Sequence, residues 1–332
     1  MTDLRVQHVH TRLGDGSALS TPWWEIDSGA DGPVLLIIAA QHGNEVQGTE
    51  ILRRFAPICA SGIVRGRAIL LPFGNIPAIR HRRNSVMLGP EEKHTETHSR
   101  FNMNSLWPGD PAGNDIERLI ASLDEALVQH ATHVVDLHCW NHFWAAAALS
   151  WEVGDGPMMA EATGMRFVWL RGQPELRTDH TQIRNIVVGR GGSGLAIEFS
   201  GQYCVYEREV RAGVRAMENV AKVLGLLDGE PEIPPDTGIN ITPENTTQID
   251  APCGGLFVEA PGLRVEDRVE AGQKLGHIIR EDDLTTVEIT APVGGWLWRY
   301  GRHQGDCDVS LPDQHPWADP GDPLASVVSS RA

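Results

Sequence analysis

The residues of this chain best suited to chemistry are His42 and Glu45, in the run Gln41-His42-Gly43-Asn44-Glu45. Two side chains three apart on a turn that enters a helix can point the same way. A histidine and a carboxylate so placed are a possible pair of zinc ligands. The spacing alone also arises by chance, so the pair needs partners elsewhere in the chain. Two further segments offer them. His133–Trp140 (HVVDLHCW) carries Asp136 and His138, two apart. Gly194–Phe199 (GLAIEF) is an apolar run broken by one carboxylate, Glu198. Taken singly, His138 also fits a buried histidine satisfied by hydrogen bonds, Glu198 a partner for a buried arginine, and Asp136 a bond to backbone.

The elements that must position these residues are legible in the hydropathy pattern. Val34–Ala40 is an apolar run of strand length that stops at Gln41, as a buried parallel strand would. A helix is expected over Val46–Phe55, with Ile51, Leu52 and Phe55 on one face. Arg67–Pro72 reads as a second buried strand. Asp115–Gln129 reads as an amphipathic helix and His133–Trp140 as a strand whose period of two puts Asp136 and His138 on one side. Short strands are expected at Arg5–His10 and Pro22–Ile26 around a Gly-Asp-Gly turn, and a closing helix at Glu207–Leu227. In open α/β sheets chemistry sits just beyond the carboxyl ends of the strands, which is where His42, Glu45, His138 and Glu198 fall.

Composition narrows the function classes. The 332 residues are 41% hydrophobic and 22% charged, with a formal net charge of -16. That balance argues against nucleic acid or an anionic membrane surface as partner, and leaves a small molecule. The five cysteines are scattered without a C-x-x-C pair, which predicts reduced thiols and a cytoplasmic setting. No signal-peptide pattern and no stretch long enough to span a bilayer is visible. A homo-oligomer is compatible with all of this.

The chain is expected to divide into a catalytic domain at 1–228, a linker at 229–247 around the Pro-rich Gly229–Pro235, and an all-β domain at 248–332. The last part alternates short strands with Gly and Pro turns and repeats one phrase, Ala251-Pro252-Cys253-Gly254-Gly255 and Ala291-Pro292-Val293-Gly294-Gly295.

The ordered set HGNE at His42, FNMNSLWPG at Phe101, VVDLH ending at His138 and AIEF holding Glu198 resembles the succinylglutamate desuccinylase/aspartoacylase family of the zinc carboxypeptidase clan. The resemblance spans almost the whole chain. It implies a zinc-carboxypeptidase-like mixed sheet flanked by helices, followed by a small barrel-sandwich domain similar to lipoyl and biotinyl carriers. It also implies one zinc per chain on His42, Glu45 and His138, with Glu198 as general base and acid. Asp136 would orient a ligand histidine or serve structure. The implied activity is removal of an acyl group from a small N-acylated amino acid or amine. A zinc carboxypeptidase and a catalytically impaired zinc-binding protein are the alternatives.

Two departures matter. The family's N-x-N-R motif reads Asn102-Met103-Asn104-Ser105 here, so Ser105 stands where a guanidinium would grip a substrate carboxylate. Asn104 is kept as a substrate residue. Either another arginine compensates, with Arg100, Arg83, Arg80 and Arg82 the nearest in sequence, or the substrate is uncharged at that point, or the protein is impaired as a catalyst. Arg83 or Arg100 fits the oxyanion-stabilising arginine that the resemblance implies. Second, the hairpin where a carrier domain presents its modifiable lysine reads Arg280-Glu281-Asp282-Asp283-Leu284-Thr285, so no lipoyl or biotin attachment is expected.

Overall fold

The computed structural model describes residues 4–86, 101–174, 181–301 and 316–329. The chain divides into two compact units, Met1–Trp140 with Ala146–Gly238, and Asn141–Ala145 with Ile239–Ala332. Strand β9 (Ile239–Asn240) thus opens the second unit from inside the segment read as a linker.

The first unit is built on strands β1 (Arg5–Arg12), β2 (Ala18–Asp27), β3 (Val34–Ala39), β4 (Arg67–Leu71), β5 (His133–Trp140), β6 (Ala147–Trp151), β7 (Phe167–Arg171) and β8 (Ser193–Ser200). They lie side by side in the order β1-β2-β4-β3-β5-β8-β6-β7. The centre, β4-β3-β5-β8, is parallel, while β2 and β6 join it antiparallel, so the sheet is mixed.

Helices cover both faces. α1 (Gln47–Gly62), α4 (Gly156–Ala162) and α6 (Glu207–Val223) pack on one side, where Leu35, Ile37, Val135, Leu137, Ile197 and Phe199 meet Ile51, Phe55 and Met217. α3 (Asp115–Ala126) and α5 (Ile183–Gly189) pack on the other, over Leu36, Ile38 and Val134. The short α2 (Ile76–His81) follows β4. Successive strand residues feed alternate cores, as the period of two requires. α1 outruns its expected end at Phe55 and continues through Pro57 to Gly62, because Ala56, Cys59 and Ala60 extend the same buried face. That burial outweighs the hydrogen bond a proline removes.

The second unit holds two four-stranded sheets formed by β10 (Thr246–Asp250), β11 (Gly255–Glu259), β12 (Arg268–Val269), β13 (Lys274–Ile279), β14 (Thr286–Thr290), β15 (Gly295–Tyr300), β16 (Trp317–Ala318) and β17 (Pro323–Val328). Their orders are β10-β17-β15-β12 and β14-β13-β11-β16. The segment Arg280–Thr285 turns between β13 and β14, and its sequence carries no lysine.

Candidate metal centre

His42 and Glu45 stand where β3 ends. Ala40, buried and in the left-handed region at φ 55, breaks the strand direction. A non-glycine residue there is strained and persists only when its neighbours hold it. Asn75 does so: its backbone N–H donates to Ala40 O (3.0 Å), its side-chain amide donates to Gln41 O (3.1 Å), and its Oδ1 caps Ala78 N–H at the start of α2. The HGNE turn then lies against α2 so closely that a Cβ on Gly43 would sit 2.1 Å from the Ala78 carbonyl carbon and oxygen. Space, not backbone dihedral, requires the glycine there.

His138 lies near the end of β5 and pairs in register with Glu198 on β8, so both side chains lie on the sheet face covered by α3 and α5. Asp136 shares that face. His42, Glu45, Asp136 and His138 are all buried, and Glu198 is the least buried of the five. One nitrogen or oxygen from each of His42, Glu45 and His138 lies within 4.8 Å of the others. Nδ1 of His42 is 2.9 Å from Glu45 Oε1, and Nδ1 of His138 is 2.8 Å from Glu45 Oε2. The Cys139 backbone N–H (3.0 Å) and the Gln202 amide (3.3 Å) also donate to Glu45.

A hydrogen bond to the His42 ring decides which of its nitrogens faces inward. Asn102 Oδ1 accepts from the Asn104 backbone N–H (3.0 Å), which fixes its oxygen toward His42 Nε2 at 2.8 Å. His42 Nε2 therefore carries a proton and donates outward, leaving the Nδ1 lone pair facing a carboxylate oxygen. On His138, Nε2 lies 2.8 Å from Asp136 Oδ2, though off the line of a ring hydrogen bond. The His42 Nδ1 lone pair set against the Glu45 carboxylate repels it unless a proton or a cation lies between. The donor set therefore fits a divalent cation such as zinc, for which two histidines and one glutamate are an established set.

The titration tendencies have the same origin. Burial opposes charge on all three groups. Glu45 raises the pKa of His42, and Asp136 with Glu45 raises that of His138 above the usual imidazole range. The two histidines hold Glu45 well below the usual carboxylate range despite its burial. Burial pushes Glu198 up to about 7, with the negative charges of Glu45 and Asp136 adding to the shift and both histidines opposing it. A carboxyl poised near neutrality is suited to proton transfer.

At the expected substrate end, Met103–Ser105 forms one 3₁₀ turn after Asn102, so Asn104 and Ser105 follow directly on the residue that touches His42. Asn104 Oδ1 is buried with no partner among the described residues. Arg80, Arg82 and Arg83 are not buried, and Arg100 lies outside the described residues.

Three further residues of this region have no site role assigned from the sequence, although Asn102 opens the Asn102-Met103-Asn104-Ser105 motif. Asn102 holds His42. Gln41 donates to Asp136 Oδ2 at 2.8 Å. Arg184 on α5 is the buried arginine of this unit among the described residues, and its charge acts on Asp136 and Glu198. It donates to Leu149 O (3.0 Å) and Gln182 Oε1 (2.7 Å). An arginine set in the apolar run Ile183–Val188 is the signal available for it.

The fold and this site define a class: a mixed α/β protein with a His-Glu-His donor set at the carboxyl edge of its parallel strands and a carboxyl poised near neutrality beside it. Residues 31–224 match the succinylglutamate desuccinylase/aspartoacylase catalytic domain, and the chain belongs to that family. The family and its relatives carry the names of hydrolases that cleave carbon–nitrogen bonds other than peptide bonds. One relative, N-alpha-acetyl-L-2,4-diaminobutyric acid deacetylase of Halomonas elongata, is 32% identical over 109 residues, which is 32% of this chain and 29% of that protein's length. The fold is shared with the succinylglutamate desuccinylase/aspartoacylase of Rhodobacter sphaeroides (TM-score 0.67, 22% identity, 98% of this chain and 96% of that one). It is shared also with the product-bound ectoine utilization protein of Ruegeria pomeroyi (TM-score 0.68, 20% identity, 98% and 95%). Among the described residues, no helix is long and apolar enough to cross a membrane.

Proposed function

We propose that the protein is a zinc-dependent deacylase of a small N-acylated amino acid or amine. The observation that carries this reading is the convergence of His42 Nδ1, Glu45 and His138 Nδ1 beside Glu198, whose carboxyl is poised near 7. His42, Glu45 and His138 would hold one zinc ion. When bound, zinc supplies Lewis acidity toward a carbonyl and lowers the pKa of water to about 7. Glu198 would accept the proton of the attacking water at its carboxylate and return it to the leaving nitrogen. Asn102 and Asp136 would keep the two imidazoles turned with Nδ1 inward. The deacetylase name of the Halomonas relative supports an acyl-amide substrate.

The charge missing at Ser105 is supplied, in this reading, by Arg184, a buried guanidinium whose field reaches Glu198. Asn104, whose Oδ1 has no partner among the described residues, would receive a donor from the substrate. The domain boundary falls near the linker, and the two C-terminal sheets form a barrel-sandwich without a carried group. The test is Glu198→Gln. It should keep about one zinc per chain yet lose at least about 10²-fold in kcat on N-acyl amino acids, the lower range for positioned proton transfer. Near-normal turnover in that variant would refute the assignment.

A further inference from the structure

Trp107, Gln41 and Asp136 form a buried chain of contacts that ends on His138. Trp107 Nε1–H donates to Gln41 Oε1 at 2.7 Å, and Gln41 Nε2–H donates to Asp136 Oδ2 at 2.8 Å. That same oxygen lies 2.8 Å from His138 Nε2. Gln41 and Trp107 are fully buried. An indole nitrogen can only donate, so Trp107 fixes the orientation of the Gln41 amide, oxygen toward the indole and NH₂ toward Asp136. Reversed, the amide would set an oxygen against the Asp136 carboxylate and push it off the histidine.

We propose that Trp107 and Gln41 are positioning residues for His138, setting through Asp136 which ring nitrogen of His138 faces the metal. This rests on the zinc reading of His42, Glu45 and His138. The residues flanking Ser105 would then control both histidines, Asn102 directly on His42 and Trp107 at two removes on His138. The segment expected to meet the substrate is thereby the one that shapes the metal centre. Asp136 Oδ1 has no partner among the described residues, so the carboxylate is held through Oδ2, where Gln41 donates.

The experiment measures zinc dissociation constants by chelator competition, and the visible spectrum of the cobalt-loaded protein, for wild type, Gln41→Met, Trp107→Phe and the double variant. Gln41→Met should weaken zinc binding about tenfold, the lower end for partners that orient a ligand. Trp107→Phe keeps most of the ring bulk and should weaken it about threefold or more. The double variant should bind no more weakly than Gln41→Met, because Trp107 acts only through Gln41. The cobalt spectra of both single variants should shift, which a loss of stability alone would not produce. Zinc constants within twofold of wild type with unchanged spectra, or additive losses in the double variant, overturn the relay alone. A wild-type protein that takes up neither metal overturns the zinc reading, and the relay with it. Should Gln41→Met fail to fold, the milder Trp107→Phe decides by the same two readouts.

Discussion

Gly43→Ala is the change whose consequence the structure fixes most tightly. The added methyl would lie 2.1 Å from the Ala78 carbonyl carbon and oxygen and 2.4 Å from Ile79 N, where ordinary contact begins at 3.4 Å. The obstruction is helix backbone, which cannot rotate aside, so about 1 Å of space must come from moving α2 or the HGNE turn. Either movement strains Asn75, which ties α2 to Gln41 O and caps Ala78. Overpacking of this kind costs up to about 3 kcal/mol, which in a unit of this size corresponds to roughly 6–12 °C in Tm. Because the displaced turn carries His42 and Glu45, zinc affinity should fall about tenfold or more and turnover about 10²-fold. Gly48→Ala is the control. Its methyl would meet the side chains of Ala39 and Leu137 at 2.7 and 2.9 Å, which lie on the opposite sheet face from His138. It should lower Tm with little effect on zinc. Differential scanning fluorimetry and chelator competition read both quantities. A Gly43→Ala protein with unchanged Tm and zinc affinity would refute the reasoning.

Two other outcomes follow from the site. In metal-free protein the carboxyl of Glu198 is raised to about 7 from an ordinary value of 4.5, so the folded state binds its proton more tightly than the unfolded chain does. Its contribution to stability is fully present below pH 4.5 and is lost as pH rises through 7. Chelated wild type should therefore lose more stability between about pH 5 and 8 than chelated Glu198→Gln, and parallel melting curves would sink the shift. Arg184→Met should cost about 10- to 100-fold in kcat/KM on substrates with a free carboxylate, the worth of one charged hydrogen bond. It should cost much less on the same substrates with that carboxylate amidated. Equal losses on both would remove Arg184 from substrate binding.

Much of the architecture is legible in the sequence because burial writes itself into local pattern. Val34–Ala39, His133–Trp140 and Ser193–Ser200 are largely apolar runs of strand length, and each forms a strand of the parallel centre. The alternation of HVVDLHCW puts Asp136 and His138 on one face, as found, because a strand leaves no other choice. The small helices α2, α4 and α5 leave no such mark. Each is six or seven residues long, too short for its periodicity to stand out from a loop. The ordered motifs HGNE, DLH and AIEF identify the family from sequence, since residue type and order survive without coordinates.

What only the tertiary structure decided is how far those motifs act on one another. Glu45 and His138, 93 positions apart in the chain, close to 2.8 Å because β3 and β5 are neighbours in the sheet, and nothing local in either segment states that adjacency. The burial that brings Glu198 to about 7 is likewise a property of the assembled face and not of the strand that carries it. The same holds for Gly43, whose need for a missing side chain depends on a helix more than thirty residues away. Sequence supplied the chemical groups and their order. Their tautomers, their mutual restraint and the route from Trp107 to His138 depend on distances between strands and loops, which exist only once the sheet has formed.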